Sequence, residues 1–134
     1  MGVIVDTSVL VQVERQGRSV ADVFARLAGR GMLAISTVTL AELAHGVARA
    51  NDEAMRARRE RFLDAARISL SVLTVDAAVA IRAGMINGEL KSRGFTVGLA
   101  DSVIAATALM RGDGVATLNG KHFKVVPGLD VVEL

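Results

Sequence analysis

Apolar residues follow two rhythms along this chain, and the rhythms alternate. Short unbroken apolar runs read as buried strands: Gly2 to Val5, "MLAIS", "LSVLTV", "VATL" and the C-terminal "DVVEL". Between them, apolar positions recur every third or fourth residue, the spacing of one helix face. Thr7 to about Arg15 forms such a helix, followed by a turn at Gly17. "SVADVFARLAG" forms a second. Ser19 caps it, Val20, Val23, Phe24 and Leu27 make its inner face, and Gly29 and Gly31 bracket its end.

"TVTLAELAHGVARA" sets Leu40, Leu43 and Val47 on one side of a helix. A longer charged helix starts at Asn51, with Asp52 and Glu53 in its first turn, and runs to about Arg67. "DAAVAIRAGMINGELKSRG" is a helix closed by Gly94, and "LADSVIAATALMRGDG" is one stopped at Gly112-Asp113-Gly114. Strands separated by helices pair in parallel, because the crossover returns each strand in the same direction. The pattern therefore predicts a three-layer α/β/α sandwich around a central, mostly parallel sheet of four to five strands.

A length of 134 residues suits one domain spanning 1–134, with no linker or repeat to divide it. At 51% hydrophobic and 22% charged, the chain has ample material for a core. No apolar stretch approaches the roughly 18 residues a bilayer span requires. The first residues lack the features of a signal peptide, and there are no cysteines. A cytoplasmic location is the expectation. Disulfides and thiolate metal sites are excluded.

The net charge is only +2, yet 13 of the 16 basic residues are arginine. Arg49, Arg56, Arg58, Arg59, Arg61 and Arg67 concentrate on and just before one helix, diluted by Asp52, Glu53, Glu60 and Asp64. Two readings fit: a solvated helix laced with ion pairs, or a rim that grips RNA phosphates. The four aromatics are all Phe, which leaves little material for stacking bases.

Three acids carry the candidate chemistry. Asp6 ends the first strand, the edge where open parallel sheets bind ligands, although an aspartate there can also cap the next helix. Asp101 heads a helical stripe whose other members, Ile104, Ala105 and Ala108, belong in the core. A helix N-terminus explains its position along the helix but not its inward face. Glu42 lies mid-helix, between Val38 and Gly46, where a solvent-facing glutamate is the simpler reading. Gly46 inside that helix calls for either a close packing partner or an early helix end. Asp76 reads as a helix-start residue, Glu89 as a solvated one and Asp113 as a turn residue. His45 and His122 are isolated in sequence and read as structural or surface residues.

The acids gain meaning together. Carboxylates about 5 Å apart repel by about 3 kcal/mol per pair at an effective dielectric near 20. A hard divalent cation reverses that repulsion. Without one, at least one proton should be held at a raised pKa. A metal-activated water is then a competent nucleophile toward a phosphodiester.

"VIVDTSVLV", "STVTLAELAHGV", "LADSVIAATAL" and "VATLNGKHF" occur in the order and approximate spacing of the PIN-domain family, and resemble most its VapC toxin branch. The resemblance spans nearly the whole chain. It implies an endoribonuclease dependent on Mg²⁺ or Mn²⁺, with Asp6, Glu42 and Asp101 as catalytic and metal-holding acids. It also implies a homodimer, an RNA substrate and a small VapB-type antitoxin, part of which blocks the acidic pocket. The family often carries a fourth acid in a "T-x-D" motif, where this chain has Asn119. Asparagine supplies an oxygen or holds a water without adding charge, and Thr7 and Ser8 are further candidates to hold water or phosphate.

Two other readings remain. A PIN-like scaffold that binds partners without catalysis is compatible with Asn119. A phospho-accepting receiver module would need an acidic pair near the first strand and a lysine at a late strand end. "VIVDTS" offers one acid, and Lys121 and Lys124 lie in a loop-like stretch.

Overall fold

A computed structural model describes residues 1–134. In chain order the elements are β1 (Val3–Val5), α1 (Thr7–Arg15), α2 (Val20–Arg26), β2 (Leu33–Ser36), α3 (Thr37–Ala48), α4 (Glu53–Ser69), β3 (Ser71–Leu73), α5 (Ala77–Ser92), α6 (Leu99–Arg111), β4 (Gly114–Thr117), α7 (Gly120–Lys124) and β5 (Val131–Glu133). The five strands lie in the order β3-β2-β1-β4-β5, and every pair is parallel. The expected sandwich is present, with all five strands recovered.

Strand alternation sorts the core into two layers. Val3 and Val5 of β1 pack with Leu33 and Ile35 of β2 against α1 to α4, where Leu10, Val23, Leu43 and Phe62 meet them. Ile4 and Ala34 point the other way, with Val115, to Ile86 and Leu90 of α5, Ile104 of α6 and Phe123 of α7. Full burial of one such side chain contributes about 1.5–3 kcal/mol, so both faces of this short sheet are firmly held. Asp113, read from sequence as a turn residue, also accepts a hydrogen bond from the Gly2 N–H at 2.8 Å, joining the entry of β1 to that of β4.

Several local expectations change. Phe24 is 40% exposed, because the face of α2 that meets the core runs through Val20, Val23 and Leu27. Asp52 lies outside α4 as its N-cap, accepting from the Met55 N–H at 2.7 Å. Gly46 has neither of its expected explanations: α3 continues to Ala48, and a Cβ at Gly46 would meet nothing within 4 Å. Its carbonyl, in the last turn of α3, instead accepts from Arg59 Nη1 at 2.7 Å. The "GKHFK" segment, expected as loop, forms α7.

Candidate active site

The sheet order changes direction at β1, since β2 and β3 lie on one side and β4 and β5 on the other. Such a switch point opens a crevice at the carboxyl ends of the strands. Asp6 stands there, 3% exposed. It occupies the N-cap position of α1, yet its side chain makes no capping bond. Oδ2 accepts from Ser8 Oγ at 2.6 Å and from Thr117 Oγ1 at 2.8 Å. Thr117 ends β4, and its hydroxyl also accepts the Asn119 N–H at 2.9 Å. A relay therefore runs from the head of α7 through Thr117 to Asp6. Ser8 is tied in turn by the Leu118 N–H at 3.2 Å.

Glu42 reaches the same place from α3. Its side chain extends to solvent, but the carboxyl end turns to Thr7, whose Oγ1 lies 2.7 Å from Oε1. Thr7 Oγ1 is also 2.9 Å from the hydroxyl of the buried Thr39. A hydroxyl carries one proton, so Thr7 donates to Glu42 and receives from Thr39. Glu42 is therefore fixed, not the free surface residue that its spacing alone suggested.

Asp101 sits in the first turn of α6, heading the stripe of Ile104, Ala105 and Ala108, which are all buried. Its Oδ2 is 2.8 Å from His122 Nδ1. His122, read from sequence as isolated, thus belongs to the site through a residue 21 positions away. Asn119 is exposed at the head of α7. His45 lines a neighbouring cavity of about 610 Å³ between α1, α3 and α4, which shares Thr7 and Glu42 with the acids. Lys124 pairs with Glu133 at 3.0 Å, and Lys121 and Lys124 both lie on α7 rather than at a strand end.

The three acids sense one another. Burial raises the pKa of Glu42, and the charges of Asp6 and Asp101 raise it further against the Thr7 hydrogen bond. Burial also raises that of Asp101, and Asp6 adds to it, opposed by the hydrogen bond and charge of His122. The protein alone thus concentrates negative charge that it cannot fully satisfy. No group of three acidic or histidine side chains is already set to enclose one ion. Carboxylate oxygens are the usual ligands of hard divalent cations. The donor set, all hard oxygen, fits such a cation.

The sequence model of the PIN domain matches residues 3–129. The chain is 33% identical over 132 residues to ribonuclease VapC1 of Rickettsia felis, covering 98% of this chain and 96% of that protein. It is 37% identical over 100 residues to the tRNA(fMet)-specific endonuclease VapC of Shigella flexneri, covering 75% and 74% of the two chains. Among solved structures, it is similar to the DNA-bound VapBC of Salmonella typhimurium, with TM-score 0.83, 28% identity and coverage of 99% and 98%. A similar match is VapBC2 of Rickettsia felis bound to a promoter DNA fragment, with TM-score 0.83, 26% identity and coverage of 99% and 98%.

Proposed function

The chain belongs to the PIN-domain family and is a VapC-type ribonuclease, and we propose that it hydrolyses RNA at the cluster of Asp6, Glu42 and Asp101. One observation carries the assignment of residues. A buried carboxylate at the switch point of the sheet is electrostatically coupled to two further acids from separate helices. Structural needs do not account for that arrangement, because like charges at one edge oppose folding.

Asp6, Glu42 and Asp101 would hold Mg²⁺ or Mn²⁺, directly or through water. Such an ion supplies a lowered pKa for water and positive charge opposite the phosphoryl oxygens. The protein's own part is orientation. Ser8 and Thr117 fix Asp6 by one oxygen, which leaves Oδ1 free of protein hydrogen bonds. Thr7 fixes Glu42. Asn119, at the rim, offers an uncharged side chain to water or to the RNA.

A VapB-type antitoxin is the partner of this reading. The cavity between α1, α3 and α4 supports it, being lined by Val11, Leu43 and Phe62 and opening beside Glu42. A homodimer is supported by the outer face of α5, where Ile81 is 69% and Met85 59% exposed. No helix is long and apolar enough to cross a membrane, and the reading places the protein in the cytoplasm. Arg58 and Arg61, beside a second and smaller cavity, are available to RNA phosphates, so binding should weaken with added salt. The test is metal removal and return. Protein stripped with EDTA should not cut a labelled RNA, and Mn²⁺ or Mg²⁺ should restore cutting. Undiminished cutting in excess EDTA would overturn the metal-centred reading.

A further inference from the structure

The imidazole of His122 is delivered to Asp101 by a small, firmly anchored element. In α7, Phe123 is completely buried against the α5–α6 layer. Gly120 lies against the carboxylate end of the Glu133 side chain. Lys124 pairs with the same Glu133 at 3.0 Å. These contacts hold α7 on β5, and His122, next to the buried Phe123, projects to the first turn of α6. The backbone placing the ring is thus far more constrained than the 48% exposure of its side chain suggests.

A carboxylate at this contact accepts and does not donate, so His122 Nδ1 carries the hydrogen. That is true of the neutral Nδ1–H tautomer and of the imidazolium alike, and the contact does not depend on the ring's charge. It occupies Oδ2 of Asp101 and leaves Oδ1 without a protein partner. The arrangement parallels Asp6, where Ser8 and Thr117 likewise take one oxygen only.

We infer that His122 is a positioning residue for Asp101: its Nδ1–H fixes the plane of the carboxylate so that Oδ1 is presented to the divalent ion. This rests on the metal-centred reading given above. Hydrogen-bonded partners of ligating groups commonly govern affinity through orientation. The competing description is a surface contact between a histidine and an aspartate with no consequence for the site.

Calorimetric titration with Mn²⁺, without RNA or turnover, separates the two. The comparison uses the parent, Asp101→Asn, His122→Ala, His122→Phe and His122→Asn, with folding of each verified by circular dichroism. Asparagine carries an N–H donor on the same branch as Nδ1, whereas phenylalanine keeps the ring and loses the donor. Alanine and phenylalanine should each weaken Mn²⁺ binding about tenfold, and asparagine should stay within about threefold of the parent. Parent-like affinity in the alanine and phenylalanine proteins would overturn the inference. So would an asparagine protein as weak as alanine. A parent that binds no Mn²⁺, or an Asp101→Asn protein that binds as well as the parent, would instead overturn the metal-centred reading and the inference with it.

Discussion

Thr117 donates its hydroxyl to Asp6 across 111 positions of sequence, at 2.8 Å, joining the carboxyl ends of two neighbouring parallel strands. Both residues are buried, and the pair lies where the sheet order changes direction. Asp6 is thereby part of the fold's framework as well as of the candidate chemistry.

Replacing Thr117 with valine keeps the shape and removes the donor. The buried Asp6 carboxylate then depends on Ser8, and the Asn119 N–H loses its acceptor. A loss of about 1–3 kcal/mol is expected from urea unfolding. Thr117→Ser, which keeps the hydroxyl, should recover most of it. A valine protein as stable as the parent, or a serine protein that loses more than valine, would show that packing of the methyl, and not the hydrogen bond, matters.

The acids also set a pH dependence for the metal-free protein. Glu42 and Asp101 have raised pKa values in the folded state, against ordinary values of 4.5 and 3.8. The folded state therefore binds protons more tightly than the unfolded chain, and stability falls as pH rises through the window between ordinary and raised values. Above that window the cost of burying the two charges, and their repulsion, is fully present. A Glu42→Gln/Asp101→Asn double variant should be more stable than the parent at pH about 7 in EDTA, and the gap should close on acidification toward the ordinary carboxylate range. A gap that widens with acid would contradict the coupling.

Arg59 gives a prediction away from the acids. It caps the last turn of α3 through the Gly46 carbonyl and lies 4.0 Å from Glu14 of α1. Arg59→Ala should lower stability by about 1–2 kcal/mol, as a charge-assisted bond to an otherwise unpaired helix-end carbonyl is lost. Glu14→Gln should cost less, since 4.0 Å is a weak contact. Urea midpoints of the two variants check the order.

Asn119 tests the fourth position. Asn119→Asp places a charge at the head of α7, two residues beyond Thr117. Its exposure screens that charge, so a gain of about 1 kcal/mol in Mn²⁺ binding, several-fold in affinity, is the expected calorimetric result. Unchanged affinity would place the side chain outside the ion's reach.

The strand order of chemistry was legible in sequence where one residue and its neighbours sufficed. Asp6 follows an apolar run and so marked the end of a buried strand, and Asp101 heads a stripe of Ile104, Ala105 and Ala108 and so announced an inward position. Glu42 was only half legible. Its spacing describes the face of α3, whereas its orientation comes from Thr7, a residue of another helix. Thr117 and His122 were not legible at all, because their meaning lies in partners 111 and 21 positions away. The five residues of α7 are too few to display a helical period. Phe24 shows the converse limit: an apolar residue at helical spacing still falls on the flank when the core-facing arc of a short helix is narrow.

Asp6→Asn gives the sharpest test of the acidic cluster as the seat of RNA hydrolysis. Asparagine keeps an oxygen for Ser8 and Thr117, so the fold should persist by circular dichroism. The rate of cutting of a labelled RNA with saturating Mn²⁺ is then compared with the parent's. Cleavage by the asparagine protein should fall by more than the roughly 10–100-fold that loss of a mere supporting partner brings. A folded Asp6→Asn protein that cuts at the parent's rate would contradict the assignment outright.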